Sequence, residues 1–109
     1  MSEESSRRYC VLFQLKKSSG ISRVAGTVPA LVALVDRWSK GNKESVCRSN
    51  DGQLFGYLFK SSKPEAMMRS EFDSSTATDN DDAIFIFEIG EKFMNLGGFS
   101  RAMTWLQHN

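Results

Sequence analysis

A chain of 109 residues with 40% hydrophobic and 25% charged side chains fits one ordinary globular domain, since domains typically run to roughly 100–150 residues. Its longest uninterrupted apolar run, Ala30 to Val35, falls well short of the about 20 residues that a membrane-spanning helix needs. The net charge of +1 excludes a strong global field for nucleic acid.

The charge is unevenly spread. Twelve Lys/Arg stand against four Asp/Glu between Arg7 and Arg69, and two against seven from Ser70 onward. Such a split suits a basic face opposed to an acidic one, a head-to-tail contact between copies, or charges that intermingle once the chain folds.

Residues 1–8 are polar and lack periodicity, so they are expected to form a tail before a single domain over 9–109. No sustained apolar segment follows the first charges as it would in a secretory leader, and a soluble cytoplasmic protein without membrane contact is expected. Tyr9 to Leu15 alternates as a first strand, with Val11, Phe13 and Leu15 on one face and Cys10, Leu12 and Gln14 on the other. A glycine-punctuated basic loop carrying Lys16, Lys17 and Arg23 follows it. Thr27 then reads as an N-cap with Pro29 in the first turn of a helix. Leu31, Leu34, Val35 and Trp38 form its apolar stripe and Gly41 its stop.

Glu44 to Arg48 reads as a second strand, and Ser49-Asn50-Asp51-Gly52 as a tight turn in which glycine supplies positive φ. The third strand, Gln53 to Lys60, carries Phe55, Tyr57 and Phe59 on one face and Leu54 and Leu58 on the other. Gly56 in its middle signals a bulge or a close backbone approach. Ser62-Lys63-Pro64-Glu65 matches a capping box and opens a short helix with a Met/Phe side. The acidic stretch Asp73 to Asp81 reads as a loop, and its spacing lacks the glycine and terminal glutamate of a calcium site.

Asp81 to Gly90 is the stretch around which the chain is organised: β-branched and aromatic residues bounded by acids and glycine. Phe85, Phe87 and Ile89 fall on one face, Ile84 and Ile86 on the other, so this strand is expected to be covered on both sides. Phe99, Ala102, Met103 and Leu106 recur at helical spacing, so a last helix docks by that face, with Arg101 and Trp105 stacked on another. His108, the sole histidine, has no evident orienting partner.

Strand, helix, strand, strand, helix, strand is the ferredoxin-like α+β order, with antiparallel sheet order 4-1-3-2 and both main helices on one face. That order sets Cys10 and Cys47 about 9–10 Å apart across an intervening strand, too far for a disulfide. The face away from the helices is expected to be shielded by a second copy or by the chain's own tail, and Cys10, Leu12, Leu54, Leu58, Ile84 and Ile86 are assigned to a dimer or partner interface.

Gly56 to Glu65, Asn80 to Ile89, Gly98-Phe99-Ser100 and Trp105-Leu106 resemble the SinR family of small ferredoxin-like proteins. These are similar to the small subunit of the CRISPR spacer-integration complex and to an antitoxin endoribonuclease of the same fold. The resemblance covers about half of the chain and implies homodimers that pair through sheet faces or edges. It also implies, for nuclease members, a metal-holding aspartate at the end of the first strand. That region here is Phe13-Gln14-Leu15-Lys16-Lys17, with no acid, so catalysis is not expected and neither a cofactor nor a metal site is assigned.

Three functional readings follow. The first is a non-catalytic dimeric module in which Lys16, Lys17 and Arg23 meet the phosphates of a nucleic acid near a helix amino end. The second is a metal-dependent nuclease using Asp51 with Asp79, Asp81 or Asp82. The third is an antitoxin, immunity or phage-encoded inhibitor protein that covers a partner.

Overall fold

The computed structural model describes residues 6–16, 20–75, 81–90 and 100–109. The elements are β1 (Arg7–Gln14), α1 (Ile21–Ser39), β2 (Lys43–Arg48), β3 (Leu54–Ser61), α2 (Glu65–Asp73), β4 (Ala83–Ile89) and α3 (Ser100–His108). The four strands form one antiparallel sheet in the order β2-β3-β1-β4, which is the expected order read from the other edge. The fold is ferredoxin-like with an added carboxy-terminal helix. Among the described residues no helix is long and apolar enough to cross a membrane.

One face of the sheet carries the main core. Tyr9, Val11, Phe13 and Leu15 of the β1 region and Phe55 and Phe59 of β3 pack with Leu31, Leu34, Val35 and Trp38 of α1 and with Met68 and Phe72 of α2. Tyr9 stacks on Phe59 at 5.5 Å, and Phe13 lies 5.1 Å from Phe55 and 6.0 Å from Phe72. Each such fully buried side chain contributes about 1.5–3 kcal/mol over an exposed one. The opposite, outer face carries a smaller cluster of Cys10, Leu58, Ala102 and Trp105, flanked by Leu12, Val46, Ile89 and Leu106. There α3 covers the β2-β3-β1 side of the sheet.

Several boundaries differ from the sequence reading. β1 begins at Arg7, inside the expected tail. α1 begins at Ile21, a turn and a half before Thr27; Gly20 is its N-cap, Pro29 lies inside it, and Thr27 is buried in its middle. Val24 and Val28 extend the apolar stripe backwards and pack on the core, so burial outweighs the helix cost of Gly26 and Pro29. α2 is capped by Pro64 rather than Ser62, without a side-chain cap bond. The preceding turn is closed by Ser61, whose hydroxyl accepts the Lys63 N–H at 3.0 Å.

The turns are as expected. Gly52 has φ 73° and donates to the Ser49 carbonyl at 3.0 Å. Gly41, with φ 84°, donates to the Asp36 carbonyl at 3.1 Å and ends α1. Gly56 is a close approach: a Cβ there would lie 2.5 Å from Leu12 Cδ2 and 2.8 Å from the Val11 carbonyl oxygen. The register irregularity falls on the neighbouring strand, between Ser45 and Cys47.

Candidate interaction surface

Of the basic residues assigned to phosphate contact, the Arg23 side chain is held by a buried acid next to β4. Asp82, at the start of β4, accepts the Lys16 backbone N–H at 2.9 Å and Arg23 Nη1 at 2.9 Å, and its second oxygen accepts Arg23 Nη2. The Asp82 side chain is 1% exposed and that of Arg23 24%. This forked pair joins the end of β1, the first turn of α1 and the start of β4. Lys17, the third assigned residue, lies outside the described residues, as does Asp79 of the nuclease reading.

Charge is otherwise intermingled rather than segregated. Lys43 Nζ sits 2.7 Å from Asp36, Arg37 3.6 Å and Lys63 2.6 Å from Glu71, Arg69 3.3 Å from Asp73, Arg101 3.5 Å from Glu44 and Arg7 3.5 Å from Glu88. Glu71 also accepts the Trp38 indole N–H at 3.2 Å. The Lys63 hydrogen bond, supported by Trp38 and Arg37, holds the Glu71 carboxyl below the usual range. Asp51 accepts the Ser49 hydroxyl at 2.6 Å and the Gln53 N–H at 3.0 Å, and these bonds lower its pKa. Asp51 and Asp82 are thus engaged in separate structural roles, one closing a hairpin turn and one pairing with Arg23. Among the described residues no group of three or more His, Cys, Asp or Glu is placed to hold a metal ion.

The six residues assigned to a partner interface do not share one surface. Strand pairing sets Val11 opposite Ile86 and Phe13 opposite Ile84, so Ile84 and Ile86 face the helices and pack on the main core. Cys10 and Leu58 face outward but are buried beneath α3. Burial, with a smaller push from Cys47, raises the Cys10 thiol to about 11, and both thiols are free. Leu12 is half-buried on the outer face, and Leu54 is exposed at its end. The outward residues of β4 are Phe85, Phe87 and Ile89.

Sequence reasoning expected those aromatic side chains to be covered. β4 is the edge strand that the expected order made it, paired among the described residues only with β1, and its outward side chains are left exposed. Phe85 is 62% and Phe87 39% exposed, with ring centroids 5.2 Å apart. Along the same edge a groove of about 270 Å³ runs between Glu65, Ala66 and Arg69 of α2 and Ile84, Phe85 and Ile86 of β4. Burial and the nearby Glu65 carboxylate of this groove raise the pKa of the Tyr9 hydroxyl.

α3 docks by Ala102 and Leu106 of the expected stripe, but its anchor is a residue outside that stripe. Trp105, expected on another side stacked with Arg101, is the buried anchor beside Ala102. Its indole N–H donates to Asn42 Oδ1 at 3.1 Å, Asn42 Nδ2 donates to Asn109 Oδ1 at 3.1 Å, and Asn109 Nδ2 donates to the Trp105 carbonyl at 2.9 Å. Arg8 donates to the Leu106 carbonyl at 3.2 Å and to the Gly90 carbonyl at 2.5 Å, tying α3 to the end of β4. Phe99, the first residue of the expected stripe, lies outside the described residues. His108 ends α3 and, with Glu44, Arg101, Thr104 and Trp105, lines a cleft of about 400 Å³.

Arg8 and Asn42 had no motif to mark them, although strand parity sets Arg8 on the face of Cys10, where α3 lies. Comparisons of the chain with protein-family models, curated proteins and solved structures return no match.

Proposed function

We propose that the chain is a non-catalytic binding module that works by holding another macromolecule against the β4 side of its outer sheet face. The observation that carries this reading is the Phe85–Phe87 pair, two neighbouring aromatic rings left open to water beside a sheet edge. Exposed aromatic pairs of this kind are costly to hydrate and supply large contact area with few rotatable bonds, so they favour occupation by a partner. Recognition through phosphate contacts has less support, because the Arg23 guanidinium is already engaged by a buried carboxylate. The ferredoxin-like order of elements supports kinship with the SinR family, and with it a partner drawn from nucleic-acid processing or a toxin system. That order hosts many unrelated activities, so the site rather than the fold carries the proposal.

The test is a photo-crosslinking amino acid placed at position 85 of the full chain in its native host, with position 21 as control, since Ile21 is an exposed apolar residue on α1 at 90% exposure. The expected result is an adduct with a protein, a second copy of the chain included, from position 85 and none from position 21. Equal labelling from both positions, or none from 85, overturns the reading. An adduct to nucleic acid from position 85 would replace a protein partner with a nucleic-acid one.

A further inference from the structure

The geometry points to a binding site for a small zwitterion, an α-amino acid with an apolar side chain, in the cleft of about 400 Å³ between α3 and β2. β2 and β4 are opposite edges of the sheet, so this site is separate from the Phe85–Phe87 surface and does not rest on the binding-module reading. Arg101, Thr104, Trp105 and His108 recur at i, i+3, i+4 and i+7 and line the cleft from one side of α3, with Glu44 of β2 facing them. The volume lies near the lower end of the roughly 300–1,000 Å³ of ligand pockets, which suits a metabolite rather than a polymer segment.

Glu44 supplies the anionic half of the site. Its side chain is only 19% exposed, yet a single oxygen makes both of its contacts: Oε2 accepts the Ser45 N–H at 3.1 Å and lies 3.5 Å from Arg101 Nη2. Oε1 accepts no hydrogen bond from the described residues. Among those residues no side-chain oxygen is both buried and unpartnered, so Oε1 is open to the cleft. A carboxylate takes several donors, and Glu44 retains room for an ammonium that enters from water.

Arg101 supplies the cationic half. Its side chain is 84% exposed and stands 3.5 Å from the Glu44 carboxylate, and exposed pairs of this kind are held weakly. The guanidinium is therefore able to turn to an incoming carboxylate, which it grips with two parallel N–H bonds. An acid and a base side by side match the ammonium and carboxylate that an amino acid carries on one carbon. A ligand with only a negative charge would meet Glu44, and one with only a positive charge would meet Arg101, so the site selects for both charges together. Trp105 forms the apolar wall. Its indole N–H is bonded to Asn42 at 3.1 Å, and an aromatic ring fixed beforehand takes up an apolar side chain at little entropic cost.

The test is isothermal titration of the full chain with L-leucine, L-methionine and L-phenylalanine, and then with glycine and with the N-acetyl and amide derivatives of the tightest binder. At least one of the three amino acids is expected to bind at millimolar concentration or below. Glycine, which lacks the side chain, and the derivatives, which lack the ammonium or the carboxylate, are each expected to bind about tenfold or more weakly. Glu44→Gln removes the charge but keeps an acceptor for the Ser45 N–H. This variant and Arg101→Ala are each expected to lose about tenfold or more in affinity, with circular dichroism to check the fold. Hydrogen exchange provides the second measurement. A ligand that bridges α3 and β2 stabilises the closed form, so amides of Ala102 to Leu106 should exchange more slowly with the amino acid present in the wild type and not in Glu44→Gln.

Absence of binding by all three amino acids overturns the inference. Binding that Glu44→Gln leaves unchanged, or a derivative as tight as its parent amino acid, overturns it as well.

Discussion

Asp82 and Arg23 form a forked ion pair between residues 59 positions apart, the carboxylate almost fully buried and also accepting the Lys16 backbone N–H. A carboxylate out of water depends on its guanidinium, and removing one partner of such a pair leaves an uncompensated charge. Arg23→Ala is therefore expected to lower unfolding stability by about 3–5 kcal/mol, read from the urea midpoint. Asp82→Asn should cost less, because the amide oxygen can still accept one N–H. If the Arg23→Ala, Asp82→Ala double variant loses as much as the two singles added together, the coupling does not exist.

Leu12 lies directly over the backbone of Gly56, its register partner. Gly56→Ala is expected to destabilise the domain by about 1–3 kcal/mol, as overpacking does in a close-packed interior. Leu12→Ala in the same chain should relieve only part of the loss, since the Val11 carbonyl oxygen would remain 2.8 Å from the new methyl. Thermal unfolding of the three variants decides this, and a neutral Gly56→Ala would contradict the close approach.

Trp105 secures α3 by burial and by the Asn42-Asn109 ring of hydrogen bonds. Trp105→Phe should lose about 1 kcal/mol, the worth of one hydrogen bond, while Trp105→Ala should free the helix. Hydrogen exchange is expected to show faster exchange over Ala102 to Leu106 in the alanine variant and unchanged protection in β1 and β3. Loss of protection across the whole sheet would mean that α3 belongs to the main cooperative unit.

The Cys10 thiol, buried under α3, is pushed up to about 11, and the phenol of Tyr9 on the opposite face is raised as well. A folded-state value above the unfolded one means that the native state holds its proton more tightly. The resulting stability is complete below about 8.5, the unfolded thiol value, and is lost as pH rises towards 11. Urea midpoints are expected to fall over that window. In Cys10→Ala, less stable at neutral pH, the fall should be shallower, with the remainder due to Tyr9. Parallel curves for the two proteins would show that the thiol does not contribute.

Much of the architecture was readable because it is written in local patterns. The alternation Tyr9 to Leu15 and Phe55 to Phe59, the Asp51-Gly52 turn and the order of elements determined the ferredoxin-like sheet. Helix starts were harder. Gly26 and Pro29 argued for a late start to α1, and only contact of Val24 and Val28 with the core outweighed them. The Ser62 capping box was displaced because the preceding turn closed on Ser61 instead.

What the sequence determined by itself was which β4 residues share a face: Ile84 with Ile86, and Phe85 with Phe87. A period of two separates the sets but carries no information about which set meets the helices. Register with β1 decided that, turning Ile84 and Ile86 inward and leaving Phe85 and Phe87 exposed on the outer face. The Arg23–Asp82 pair and the Trp105 anchor were likewise settled only by tertiary structure. Each joins residues far apart in the chain, and such contacts come from how layers pack rather than from any local spacing.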